Sequence, residues 1–357
     1  MALTTVSPGL LDSTAQYYGF KNRIINGAMV IDQRNAGASV TPTADQTYTL
    51  DRWKIRNGSG AGRFSVIQSS TSAANFPTSV LLTVTTTSAP SGTEFYGLEQ
   101  DVEGYNMADF GWGTANAQSV TVSFQVRSSL TGTYCVSLRN NGASRSYVAE
   151  FTVNAANTFE TKTITIEGDT SGTWLTTNGA GILFMVCLGS GSTREGTASS
   201  WQSSNIVATS NQVDWINTSS ATFFITGVQL EKGSTATSFD YRPYETELAL
   251  CQRYFIAFTN TVFGGSNNRI AAGSGASSTV VRFGFPFPVA MRSAPSVTMS
   301  GTPRAEAGSA ISITSASSAG MNIYSAGIDC SAASGLTAGT AYMMDTGSGG
   351  YSFSAEL

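Results

Sequence analysis

The sequence predicts an all-β protein: a jelly-roll β-sandwich followed by a short helix and a second, smaller β-rich domain. Three observations point there. Charged residues are 12% of the 357, about half the ~25% usual for soluble domains. Hydrophobic content is an ordinary 41%, so Ser, Thr, Asn and Gly stand in for charge, which favours strands and turns over charge-faced helices. Apolar, β-branched runs also recur every dozen or so residues, each bounded by Gly, Ser, Asn, Asp or Pro, as short antiparallel strands of a sandwich do. No longer repeat of roughly 20–50 residues is visible, which argues against a propeller or a parallel β-helix.

Residues 1–20 are punctuated by Ser, Thr and Pro, with Leu10, Leu11, Tyr17, Tyr18 and Phe20 available for apolar contact. They bury little alone and are read as an N-terminal attachment arm, the alternative being a loose chain end. Residues 21–245 form the jelly-roll domain. After NRIINGAMVIDQRNAG and DRWKI come RFSVIQ, SVLLTVTTT, SVTVSFQVRS, TYCVSLRN, SYVAEFTVN, ETKTITIEG, GILFMVCLGS and ATFFITGVQL. In VTVSFQV, Val120, Val122, Phe124 and Val126 point inward; in SYVAEFTV, Tyr147, Ala149, Phe151 and Val153 do. The closing strand alternates Phe224, Thr226, Val228 and Leu230 on one face against Phe223, Ile225, Gly227 and Gln229 on the other. Its tail then runs to a proline that cannot continue a ladder.

ETELALCQRYFIAF breaks the pattern. Leu248, Cys251, Gln252 and Phe255 fit helical spacing, so this stretch is expected to be a helical connector. Residues 246–357 form the second domain, from VVRFGFPFPVAM, SVTMSG, AISITSA and GYSFSAEL. The prolines of GFPFPVAMRSAPSV fit an edge or bent strand.

Composition also excludes. A net charge of -4 argues against a phosphate-backbone binder, so no nucleic-acid partner is expected. Histidine is absent, which removes Ser-His-Asp and Cys-His catalysis and the commonest metal ligand. Cys135, Cys187, Cys251 and Cys330 form no CxxC pair, and free buried thiols are expected. No signal peptide and no membrane span of about 20 apolar residues is read, so synthesis and folding in a cytosol without membrane insertion are expected. No cofactor and no metal is called for.

The segments QSVTVSFQVRSSLTGTYCVSLRN and ATFFITGVQLEKGSTATSFDYRP resemble jelly-roll domains related to carbohydrate-binding modules. FKNRIINGAMVIDQRNAG, YTLDRW and RPYETELALCQRYF resemble virion structural proteins of tailed bacteriophages, of tail fibre or minor tail type. This likeness runs from about residue 20 to the end. It implies a non-enzymatic virion component assembled in the host cytoplasm, most simply a tail fibre for particle attachment and recognition of host-surface glycan. The alternatives are a capsid decoration or head-fibre protein and an enzyme that degrades surface polysaccharide. Implied partners are two further copies in a homotrimer, tail, baseplate or capsid proteins held through the N-terminal arm, and a cell-surface glycan.

A glycan platform needs aromatic faces beside amides or carboxylates. Tyr105 in VEGYNM, Trp112 in NMADFGWGTANAQ and Trp201 in GTASSWQSSN lie in Gly-, Ser- and Asn-rich loop contexts, with Asp109, Asn116 and Gln202 as polar partners. The bland alternative has these rings pinning loops or filling a subunit interface. Trp53 and Trp174 read as core or sheet-edge residues. Glu99, Asp101 and Glu103 alternate in YGLEQDVEGY. They are read as one solvated strand face, against a glycosidase pair or a calcium site. Glu231, Lys232 and Arg242 are read as structural, fixing how the tail crosses the sheet edge.

Overall fold

A computed structural model describes residues 20–58, 63–264 and 268–357. Of the expected attachment arm, residues 1–19 therefore lie outside the described residues. The chain forms two compact units. One takes the chain up to Val30, Ser39–Tyr48 and Trp53–Pro243; the other takes Ile31–Ala38, Thr49–Arg52 and Tyr244–Leu357.

The first unit is a jelly-roll sandwich of antiparallel strands, as the pattern predicted. Its strands are β1 (Tyr48–Leu50, of which Tyr48 alone is counted in this unit), β2 (Trp53–Asn57), β3 (Arg63–Ser69), β4 (Ser79–Thr86), β5 (Phe95–Glu103) and β6 (Val120–Ser128). They continue with β7 (Gly132–Arg139), β8 (Ser146–Val153), β9 (Glu160–Ile166), β10 (Ala180–Ser190), β11 (Trp201–Gln202) and β12 (Thr222–Lys232). One sheet runs β1-β2-β5-β10-β7-β8-β11 and the other β3-β4-β12-β6-β9. Val120, Val122, Phe124 and Val126 of β6 are buried between the sheets with Tyr134, Phe151, Phe184 and Phe223. Phe124 meets Phe151 edge-on at 5.0 Å, and Tyr134 stacks on Phe151 at 5.7 Å. Burying four such side chains is worth about 1.5–3 kcal/mol each.

The closing strand corrects the simple alternation. Thr226 faces Gln125 and Gln229 faces Ser123, so Gly227 and Val228 together oppose one residue of β6. This is a β-bulge, with Gly227 at φ 60, a conformation open mainly to glycine. The extra residue flips the phase: Val228 and Leu230 end up on the core face with Phe223 and Ile225, all four fully buried.

The second unit holds α1 (Tyr244–Gln252), β13 (Phe255–Thr259), α2 (Asn260–Phe263), β14 (Arg269–Gly275), β15 (Val280–Pro286) and β16 (Ser296–Ser300). After these come β17 (Arg304–Glu306), β18 (Ala310–Ser312), β19 (Ser315–Met321), β20 (Ser325–Ser331), β21 (Ala341–Asp345) and β22 (Gly350–Ser354). Its sheets are β13-β22-β16 and β18-β17-β21-β14-β15-β20-β19, packed through Val281, Phe283, Phe285, Ile328, Met344, Tyr351 and Phe353. The helix is shorter than its periodicity suggested, because Phe255 already belongs to β13. The proline-rich run divides: its start belongs to a central strand, and its end, after Pro295, enters β16 at the edge of its sheet. β15 lies between β14 and β20, and Pro286 simply ends it. All four cysteines are buried free thiols.

Candidate ligand-facing loops and a closed sheet face

Beyond Glu103 the chain makes two 3-10 turns, Gly104–Asn106 and Ala108–Phe110, and leaves through Gly111 at φ 64. Backbone bonds from Gly104 N–H to Gly179 O (2.8 Å) and from Tyr105 N–H to Thr177 O (2.9 Å) tie these turns to the loop before β10. That leaves Tyr105 61% exposed. Trp112 behaves differently. It is buried, 4.7 Å from Trp174, 5.3 Å from Trp201 and 5.8 Å from Phe110. Tyr147 adds a further edge contact to Trp201 at 5.2 Å.

Each indole N–H of this cluster is held by a loop carbonyl: Trp112 by Gln118 O (2.8 Å), Trp174 by Ser171 O (3.1 Å), and Trp201 by Glu167 O (2.8 Å). Edge-to-face rings with satisfied donors lock loops together. Trp112 therefore pins loops and offers no open face to a sugar, whereas Trp201 is not the loop residue its context suggested: it lies in the edge strand β11, opposite Tyr147 of β8, and is half-buried. The polar partners divide similarly. Asp109 is ion-paired to Arg23 at 3.0 Å and Lys232 at 3.7 Å. The Gln202 amide closes on the Thr197 backbone through both of its atoms. Asn116 is exposed in the loop after Trp112. Tyr105, Asp109 and Asn116 are exposed and Trp201 and Gln202 half-buried, so of the expected set Trp112 alone is closed off.

The carboxylates of β5 are not on a solvated face. Glu99, Asp101 and Glu103 are all buried, because both faces of this strand are covered. Lys54 lies directly opposite Glu99 on β2, and its ammonium sits 2.5 Å from Asp101 and 3.5 Å from Glu99. Arg56 reaches Glu99 at 2.9 Å and Asp45 at 3.0 Å, and Arg139 pairs with the second oxygen of Glu99. Burial alone would raise the Glu99 pKa, but Arg139, Arg56 and Lys54 together hold it below the usual carboxylate value. Such a group is a poor proton donor for glycoside cleavage. Among the described residues, no group of three or more His, Cys, Asp or Glu side chains is placed to hold a metal ion.

Residues 205–212 lie over the neighbouring part of this face. Asn205 Oδ1 accepts from Arg139 (3.0 Å), Thr209 Oγ1 donates to Glu150 (2.5 Å), and the Gln212 amide donates to Cys187 Sγ (3.2 Å). Cys135 and Cys187 face each other across β7 and β10. Burial pushes their thiols up to about 12 and about 11, so they stay protonated and unreactive.

The closing tail performs the structural role expected of it. Glu231 accepts from Thr237 N–H and from the Gln229 amide, both at 2.8 Å. Arg242 donates to the carbonyls of Asn22 and Ile24, and Asp240 accepts from the backbone N–H of Lys21 (3.0 Å) and Asn22 (3.2 Å). Asn22, which the sequence did not single out, bonds Val228 O and Leu230 N–H at 3.0 Å each and so clamps the bulge. The tail also delivers Phe239 and Tyr241 onto Phe76. In the second unit, a cavity of about 340 Å³ is lined by Asp32, Tyr244, Leu248, Phe258, Phe263 and Pro288, among others. Burial raises the Asp32 pKa there against the pull of the Gly37 and Asn35 N–H groups.

No family model and no curated protein matches the sequence. Solved structures with partial likeness include a candidate sugar-binding protein from Bacteroides thetaiotaomicron VPI-5482, at 12% identity and TM-score 0.35, covering 59% of this chain and 100% of that one. The family 11 carbohydrate-binding module of a Clostridium thermocellum cellulosomal cellulase is similar at 10% identity and TM-score 0.29, covering 57% and 99%. The enzymatically active domain of bacteriophage CBA120 tailspike protein 4 is similar at 13% identity and TM-score 0.26, covering 59% and 21%. The jelly-roll assignment stands on the strand order given above.

Proposed function

We propose that this chain is a non-enzymatic component of a tailed-phage particle, a tail fibre or fibre-like appendage that recognises glycan on the host surface. The observation that carries the glycan part is the two aromatics of the set that keep surface, Tyr105 exposed on its 3-10 turn and Trp201 half-buried on the edge strand β11, each fixed by backbone or indole hydrogen bonds. Rings held this way meet the C–H face of a sugar with little further loss of freedom. The motifs quoted from the sequence support the virion part. Residues 1–20 would attach the chain to tail, baseplate or capsid proteins, and a homotrimer would multiply weak single-site affinity. The ion-paired carboxylates of β5 support binding over hydrolysis.

A purely architectural role, as a capsid decoration or head-fibre protein, is favoured by one observation: Trp112 and Trp174 are buried as loop pins. A glycan array paired with a reducing-sugar release assay separates these readings. Binding without release supports the adhesin, release would make the chain a polysaccharide-degrading enzyme, and neither would leave the architectural role.

A further inference from the structure

The tail after β12 builds an aromatic face that the loop candidates did not include. A Cβ at Gly227 would lie 2.5 Å from Cζ of Phe76, so the missing side chain at the bulge makes the seat for that ring. Tyr241 stacks on Phe76 with centroids 5.5 Å apart and planes at 28°. Phe239 meets both rings edge-on, at 5.1 Å from Phe76 and 4.9 Å from Tyr241. The Tyr241 hydroxyl donates to the carbonyl of Asn75, a residue at φ 68. The backbone is equally fixed: Tyr241 N–H donates to Phe239 O at 3.0 Å, and Asp240 N–H to Gln229 Oε1 at 2.8 Å.

Although held by a stack, an edge contact, its hydroxyl and its backbone, Tyr241 is 53% exposed. An immobilised ring with one face covered and the other open has already lost the freedom that binding would otherwise remove. Polar groups lie close to it as well, beginning with the Asn75 carbonyl that takes its hydroxyl. Asn75 and Thr237 are exposed, and Lys21 Nζ reaches Thr237 Oγ1. The nearby charges are engaged within the fold, Asp240 by backbone N–H groups and Arg242 by backbone carbonyls. A single fixed ring rimmed by amide and hydroxyl groups suits an uncharged sugar ring, with C–H bonds on the tyrosine and hydroxyls on the rim.

We infer that the Tyr241 face, seated on Phe76 and Phe239, is a stacking subsite for a neutral saccharide, in addition to Tyr105 and Trp201. This rests on the glycan reading above. The test is an array of neutral hexose and pentose oligosaccharides probed with the full chain, followed by titration of the strongest hit against Tyr241→Ala, Tyr241→Phe and Trp201→Ala. Tyr241→Ala is expected to weaken binding about tenfold, the scale of one lost ring contact, while Tyr241→Phe keeps most of the affinity. Full binding by Tyr241→Ala alongside loss in Trp201→Ala would overturn the inference and leave the glycan reading standing. No hit from a folded wild-type chain would overturn both. A drop in sedimentation coefficient for Tyr241→Ala would instead make this face a subunit contact.

Discussion

Every residue of β5 in the first unit is buried, its carboxylates included, whereas β15 in the second alternates buried Val281, Phe283 and Phe285 with exposed Arg282, Gly284 and Pro286. Both strands carry an ion pair to a neighbouring strand. Arg282 meets Asp329 directly across on β20 at 2.7 Å, in water. Glu99 meets Lys54, Arg56 and Arg139 out of water. Pairs of similar chemistry thus have different consequences, because a buried charge cannot fall back on solvent when its partner is removed. The cover over a sheet decides the value of an ion pair more than the pair itself does.

The largest expected effect breaks that contrast at β5. Glu99→Ala takes from buried Arg139 the carboxylate it pairs with and leaves Lys54 and Arg56 to Asp101 and Asp45, so the first unit should lose about 3–5 kcal/mol, read as an early urea transition by tryptophan fluorescence. A midpoint that barely moves would show that the cover gives these buried pairs no added weight. Next comes Gly227→Val, which forces a branched side chain into φ 60 and against Phe76. A loss of about 2 kcal/mol or more is expected from strain and displacement.

A pH comparison sharpens the contrast between two buried acids. Asp51, bonded by Gln33 N–H at 2.6 Å and the Gln33 amide at 2.7 Å, is pushed by burial to about 6, with Arg34 and Gln33 offsetting part of the rise. Its folded value lies above the ordinary one, so the folded chain holds the proton more tightly in between. Stability should therefore fall as pH rises from about 4 to about 6, by on the order of 1–2 kcal/mol. Asp51→Asn should flatten that slope in thermal melts. Glu99 has the opposite sign: its folded value is lowered, so its contribution is complete above the ordinary value and is lost as pH falls through the folded one. The smallest effect is expected for Arg282→Ala on the wet face. Its melting temperature should match wild type, and a clear drop would show that exposed pairs carry weight here.

Much of the fold was legible because most strands announce themselves. The eight patterned runs became β3, β4, β6 to β10 and β12. What stayed hidden had physical causes. The acidic residues of β5 disguised a central, fully covered strand as a solvated one, since the cations that neutralise it lie some 40 positions away in both directions, at Lys54, Arg56 and Arg139. The phase of β12 was misread beyond Gly227, because a bulge is set by backbone geometry and by the Phe76 ring, not by hydrophobic pattern. The contribution of residues 31–38 and 49–52 to the second unit has no local signature either. Among the candidate sugar contacts, loop context suited Tyr105 but missed that Trp201 lies in the edge strand β11, opposite Tyr147. It could not separate them from Trp112, whose burial depends on Trp174 some 60 residues on.

The central claim is that the acidic cluster of β5 is a neutralised part of the scaffold rather than a hydrolytic pair, which is what supports the proposal of binding over hydrolysis. Carbon-13 NMR titration of the Glu99 side chain tests it most directly. The account predicts a midpoint below the ordinary carboxylate range. A midpoint of about 6 or above, where a working general acid titrates, would contradict it.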